Sequence, residues 1–268
     1  MRCLLVADLH YALRQFDWVM DVAEDFDLVV IAGDLLEIAS PVDGRAQIVV
    51  VRKYLERLKD KTRVIVCSGN HDLDGTDEAG EKTARWIHNL RGLGIPVDGD
   101  SLFVGDVLIT VCRWWDGARQ REAIGRQLAA DAQKRRGPWI WVYHAPPSSS
   151  KVSWGGDRHF GDTELANWIE SYRPDLVLSG HVHQAPFVSG GAWAERIGAT
   201  WVFNAGQQIG PAPTHIIFDL KEGKAAWFSL MGNQMVALDK DGGAAPTPLT
   251  ELPDWLRAAG PPPLRPPA

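Results

Sequence analysis

Short apolar runs recur along the chain, and each stops abruptly in polar, glycine-rich residues. The clearest are "RCLLVAD" (2–8), "LVVIAGD" (28–34), "RVIVCSGN" (63–70), "PWIWVYHAP" (138–146) and "DLVLSGH" (175–181). Runs this short, rich in Val, Ile and Leu and without polar alternation, predict strands buried on both faces. "GRAQIVVVRKYLERLKD" (44–60) carries Val51, Tyr54, Leu55 and Leu58 at helical spacing. "TELANWIESYR" (163–173) opens with Thr163 and Glu164, residue types that start helices. Strand and helix alternate over residues 1–100, as in βαβ units. Beyond 101 strands dominate. "LFVGDVLITVC" (102–112) reads as two strands about Gly105 and Asp106. "AWAERIG" and "TWVFNAG" flank a turn, and "THIIFDL" and "KAAWFSL" flank "KEG" as a hairpin. The pattern predicts an α/β protein with two mixed β-sheets flanked by helices. Residues 1–235 form the expected main domain. Residues 236–268 form a C-terminal extension, with one short helix about Trp255 and a proline-rich, partly mobile end, "AAGPPPLRPPA".

Composition narrows the picture. The 268 residues allow one large domain or two small ones. The net charge of −6 offers no basic footprint, so nucleic acid is not an expected partner. Cys3, Cys67 and Cys112 are widely spaced with no CxxC, and read as buried free thiols in a reducing compartment. No stretch has the ~18–20 apolar residues of a membrane helix, and Asp8 interrupts the first run too soon for a signal peptide. A cytoplasmic location without membrane attachment is the expectation. The sequence does not reveal the oligomeric state.

The chemistry gathers where the strands end. The first run ends in Asp8 and His10, the second in Asp34, the third in "GNHD" (69–72), another in His144, and another in "GHVH" (180–183). Five of the eight histidines stand in such positions; His88, His159 and His215 read as surface or packing residues. Carboxyl ends of strands in open α/β sheets are where sites form. Carboxylates and imidazoles suit divalent Mn, Fe, Zn, Co or Ni. A carboxylate can bridge two cations about 3.5–4 Å apart, which clamp a phosphate in line with a hydroxide. Gly33, Gly69 and Gly180 let backbone approach closely beside the ligands. Taken singly, Asp8 or Asp34 could be a helix cap, Asn70 a turn residue and His144 a surface histidine; taken jointly, the pattern points to metal.

The ordered set "DLH … GD … GNHD … H … GHVH", complete between residues 8 and 183, resembles the calcineurin-like metallophosphoesterase family, in its phosphodiesterase-type branch. The resemblance implies a four-layer αββα sandwich, the metallo-dependent phosphatase fold. It implies two divalent transition-metal ions per chain, Mn foremost. Asp8, His10 and His183 would hold one ion and Asn70, His144 and His181 the other, with Asp34 bridging. His71 would stabilise the transition state and protonate the leaving oxygen after attack by a metal-bound hydroxide. In protein-phosphatase relatives a carboxylate three residues past the bridging aspartate orients that histidine, and Glu37 stands at this offset.

Departures exclude some relatives. "GDLLEIA" is not the "GDxxDRG" of Ser/Thr phosphatases. Purple acid phosphatases carry a tyrosine where Glu37 stands and lack the histidine at position 10, so no iron–tyrosinate site is expected. The reading is a phosphodiesterase acting on a small phosphodiester such as a nucleotide. The alternatives are a phosphomonoesterase or nuclease on the same site, or a non-catalytic scaffold of the same fold. Loops at 112–117 and 146–162 supply candidate substrate contacts, chiefly Arg113, Trp154 and Arg158, with Trp114, Trp115, Lys151 and His159 nearby.

Overall fold

All five apolar runs are strands in the computed structural model, which describes residues 1–238 and 245–257. The first half reads β1 (Arg2–Val6), α1 (Leu13–Val22), β2 (Leu28–Ala32), α2 (Gly44–Lys61), β3 (Arg63–Cys67), β4 (Gly75–Thr76), β5 (Lys82–Thr83) and α3 (Arg85–His88). Next come β6 (Ser101–Val104), β7 (Val107–Val111), α4 (Ala118–Lys134), β8 (Trp139–Val142), α5 (Thr163–Tyr172) and β9 (Leu176–Ser179). The chain closes with β10 (Ala194–Ile197), β11 (Thr200–Asn204), β12 (His215–Asp219), β13 (Lys224–Ser229), β14 (Gly232–Ala237), β15 (Thr247–Pro248) and α6 (Asp254–Arg257).

Two mixed sheets result. One has seven strands in the order β15-β14-β13-β12-β1-β2-β3, the other six in the order β10-β11-β9-β8-β7-β6, and β4 and β5 pair separately. β1, β2 and β3 run parallel, as do β7, β8, β9 and β11; the remaining pairs are antiparallel.

Side-chain alternation sorts the layers. Leu4, Val6, Val29, Ile31, Val64 and Val66 face a core shared with Phe16 and Val19 of α1 and Val51 and Leu55 of α2. Their neighbours Cys3, Leu5, Val30 and Ile65 face the other way, against Ile109, Ile140, Leu178 and Phe203 of the second sheet. The far face of that sheet, with Trp139, Trp141 and Val177, packs on Ile124 and Leu128 of α4 and Leu165 and Ile169 of α5. Helix, sheet, sheet, helix is thus the order of layers, and continuous apolar strands are what a double-sided burial requires. Each Leu or Ile so enclosed contributes about 1.5–3 kcal/mol.

Three local outcomes refine the sequence picture. The cap of α5 is Asp162, whose carboxylate accepts from Glu164 N–H and Leu165 N–H, so Thr163 is the first helical residue and not the cap. β14 runs through position 235, and β15 beyond it pairs with β14 in the first sheet. Leu256 of α6, the short helix expected about Trp255, enters the first core, and Arg2 donates to the carbonyls of Trp255 and Leu256. The segment "AAGPPPLRPPA" lies outside the described residues.

Register sets up the site. Val6 is level with Ile31 and Ile31 with Val66, so β1, β2 and β3 end together. In the second sheet Val142 is level with Leu178. The loops that leave these strands therefore emerge at one edge of the sandwich.

Candidate metal centre and active site

At that edge the backbone leaves regular geometry at once. Asp8, His10, Asp34 and His181 adopt φ of 54°, 43°, 53° and 69°. Left-handed conformations in non-glycine residues cost energy and concentrate where function overrides stability. Two glycines make room. A Cβ on Gly69 would lie 2.1 Å from Asp34 Oδ1, and one on Gly180 would lie 2.4 Å from Asp8 Oδ2. Any side chain at either position would displace a candidate ligand.

The loops are tied by backbone donors. His181 N–H donates to both oxygens of Asp8, at 3.1 and 3.0 Å, which joins the two sheets. His71 N–H donates to Asp34 Oδ1 at 2.8 Å. Asp72, fully buried, accepts from the N–H groups of Asp34, Leu35, Leu36 and Gly69 and so locks the second loop onto the third. Burial and the nearby Asp34 charge push its pKa up to about 8, against those four donors. Asp72 is a positioning residue that the sequence does not reveal as one: only the fold brings residues 34–36 within its reach.

The candidate ligands converge. Asp8, His10, Asp34 and His183 offer ligand atoms within 4.8 Å of one another, and so do Asp34, His144 and His181. Asp34 belongs to both groups, where a bridging carboxylate would stand. Asn70 opens the turn that carries His71, and its buried Oδ1 has no hydrogen-bond partner. His10 Nε2 and His183 Nε2 face each other at 3.1 Å, and His183 Nε2 lies 3.3 Å from Asp8. His144 Nδ1–H donates to the Ala32 carbonyl at 2.7 Å, which directs Nε2 at Asp34, 3.1 Å away.

Burial and mutual charge shift the groups of the cluster in both directions. Burial would lower the pKa of His144, but the charges of Asp34 and Asp8 and its hydrogen bonds raise it to about 10. Burial would likewise lower His183, yet its hydrogen bond to Asp8 raises it. Burial and the His144 charge bring His181 down to about 4, and burial lowers His10. Asp34 is held well below the ordinary carboxylate range: burial opposes this, but His144 and the hydrogen bond from His71 N–H outweigh it. Two buried carboxylates beside four imidazoles are a donor set that fits divalent cations.

His71 lies beside this cluster, its ring 4.5 Å from that of His10. Glu37 stands between the two, with Oε1 3.6 Å from His71 Nδ1 and Oε2 3.3 Å from His10 Nδ1. The contact with His10 was not expected from the sequence. Arg113 reaches toward Gly99. Trp154 packs on His159 and donates to the Ser189 carbonyl. The Arg158 guanidinium covers the Phe160 ring at 4.5 Å. Trp114 approaches the cluster, its ring 5.3 Å from His181 and 5.7 Å from His144. His215, stacked on Phe228 and Trp18, is a packing histidine. No helix among the described residues is long and apolar enough to cross a membrane.

Comparison with known proteins agrees with this geometry. The structure is similar to TT1561 of Thermus thermophilus, at 17% identity over 89% of this chain and 99% of that one, with a TM-score of 0.55. It is also similar to the purple acid phosphatase PPD1 from yellow lupin seeds, at 13% identity over 92% of this chain and 53% of the other, with a TM-score of 0.53. At such identities these likenesses speak for the fold alone. No curated protein matches the sequence. The family model of calcineurin-like phosphoesterases matches residues 1–185, which includes every candidate ligand. With its sandwich, its strand-end His and Asp groups and that match, the chain belongs to the calcineurin-like phosphoesterase family.

Proposed function

We propose that the protein is a two-metal phosphodiesterase acting on a small phosphodiester such as a nucleotide. The observation that carries this is Asp34, shared by two histidine-containing groups, with His71 beside them. Asp8, His10 and His183 would hold one ion and Asn70, His144 and His181 the other, with Asp34 between; Mn is the ion proposed. Divalent cations there would neutralise phosphoryl charge and supply a nucleophilic oxygen near neutral pH. The protein's own groups do the rest. Asp72 keeps the loops of Asp34 and His71 in register. His71 donates a proton to the departing oxygen, and Glu37 orients it. The acidic net charge supports a small substrate over nucleic acid. Three buried free thiols support a reducing, cytoplasmic setting.

The test is hydrolysis of bis(p-nitrophenyl) phosphate beside p-nitrophenyl phosphate by metal-stripped protein titrated with Mn²⁺. Metal-dependent cleavage that favours the diester is the expected outcome. Preference for the monoester makes it a phosphatase on the same site. No turnover of either, with two ions bound per chain, overturns the catalytic reading.

A further inference from the structure

Two cavities open on the metal cluster, and they share no lining residue. The first, of about 470 Å³, reaches the cluster at His181 and is walled by Trp114, Trp115, Tyr143 and Phe160. The second, of about 550 Å³, reaches it at His10 and Glu37 and sets Arg14, Gln207 and Gln208 among Leu9, Leu13 and Ile209, with no aromatic side chain other than the His10 ring in its lining. A phosphodiester has two ester arms, and the two cavities differ in what they could receive.

The first cavity is built for a flat, uncharged group. Trp115 Nε1–H donates to Tyr143 Oη at 2.7 Å and to Asp162 Oδ2 at 2.8 Å, which fixes its ring plane. Tyr143 Oη–H donates to the same carboxylate. Arg121 pairs with Glu164 at 3.4 Å, its guanidinium 5.9 Å from the Trp115 ring centre. Asp162, Arg121 and Glu164 thus each have a protein partner within the cavity wall. What it offers is aromatic surface, and rings stack on such surface with little regard to their substituents.

The position of the acid decides which arm departs. A general acid must lie within hydrogen-bond reach of the leaving oxygen. His71 lies with Glu37 and His10, on the side of the second cavity, the one that offers Arg14, Gln207 and Gln208. We infer, resting on the phosphodiesterase reading, that the substrate is an asymmetric diester whose aromatic arm stays on phosphorus in the Trp114–Trp115–Phe160 cavity while its polar arm leaves through the cavity at His10 and Glu37. Water adds its oxygen to phosphorus and loses a proton to solvent. The phosphorus–oxygen bond to the polar arm breaks, and His71 gives that oxygen its proton. The products are an arylated phosphomonoester and a polar alcohol.

Benzyl glyceryl phosphate tests this, because both its arms are primary alcohols of similar leaving ability. Phosphorus NMR of the Mn²⁺-loaded full-length protein's products should find benzyl phosphate about tenfold over glycerol phosphate. Calorimetry should find benzylphosphonate bound about tenfold more tightly than methylphosphonate, with that ratio falling toward one in Trp115→Leu and in Phe160→Ala. Glycerol phosphate as the main product, an even mixture, or equal phosphonate affinities would overturn the assignment. So would an affinity ratio unchanged in both variants. If no diester is cleaved but the phosphonate preference appears and both variants abolish it, the diesterase reading falls and the aromatic subsite stands. If diesters are cleaved without regard to the arm, the subsite falls and the diesterase reading stands.

Discussion

β1 and the five residues after it are neighbours in sequence and opposites in physics. From Arg2 to Val6 every residue is buried and the backbone is regular. From Ala7 to Tyr11 the chain carries Asp8, His10 and Tyr11 at positive φ, with Asp8 wholly buried. β2 repeats the contrast, with five buried apolar residues followed by Asp34 at φ 53°. Stability resides in the strand bodies and chemistry in the turns that leave them. Each strained ligand position costs about 1–3 kcal/mol, which the double-sided core offsets. Mutations on the two sides of this border should therefore fail differently.

The largest effect is expected on the turn side. His71→Gln should lower kcat on a phosphodiester by about 10²- to 10⁴-fold and leave the urea midpoint where it is. A shifted midpoint with kcat intact would move His71 to the structural side. Leu5→Ala should do the reverse, costing about 2–5 kcal/mol in urea unfolding while the folded fraction turns over normally; Leu5 is wholly enclosed between the sheets. A loss of kcat in excess of the unfolded fraction would erase the border.

Glu37→Gln should cost about 10- to 100-fold in activity or metal affinity, since Glu37 touches both His71 and His10. Unchanged activity and affinity would leave Glu37 outside the machinery. The smallest effect sharpens the comparison with a histidine inside the core. Burial lowers His215 to about 4. Its folded pKa lies below the unfolded value of about 6.5, so the unfolded chain binds the extra proton. The contribution is fully present above about pH 6.5 and is lost as pH falls toward 4. From pH 7 to 5 this amounts to about 2 kcal/mol. Chemical denaturation at both pH values should give a smaller difference in His215→Phe; an equal difference would refute the linkage.

The strands and the candidate ligand set were legible for one reason. A strand buried on both faces is a continuous apolar run, so the first charged residue after it is conspicuous. Asp8, Asp34, His144 and His181 all announce themselves this way. Other elements lack that contrast. α4 buries mainly Ile124 and Leu128 among charged and small residues, too thin a stripe to mark a helix. β14 is mostly half-buried next to the edge of its sheet, with Gly232, Asn233 and Gln234 leading it. Asp72 and the Trp115–Tyr143–Asp162 link depend on residues 19 to 47 positions apart in sequence, which no local pattern encodes. Arg158 and Trp154 drew attention as a cation and a ring in a glycine-rich loop, but the cation covers Phe160 and the ring packs on His159.

β1 lies between β2, which comes soon after it in the chain, and β12, which begins at His215. On a ribosome that adds about 5–20 residues per second, the partner for the second edge of β1 arrives roughly 10–40 s after β1 itself. During that interval a strand that is apolar from Cys3 to Val6 waits with one row of backbone donors and acceptors unmatched, open to pairing with another nascent chain. His183 also precedes β12, so the ligand set is synthesised before the sheet that carries Asp8 and Asp34 can close. Codon usage or chaperone capture that alters the pace between residues 183 and 219 would thus change how long β1 stays unpaired on that edge.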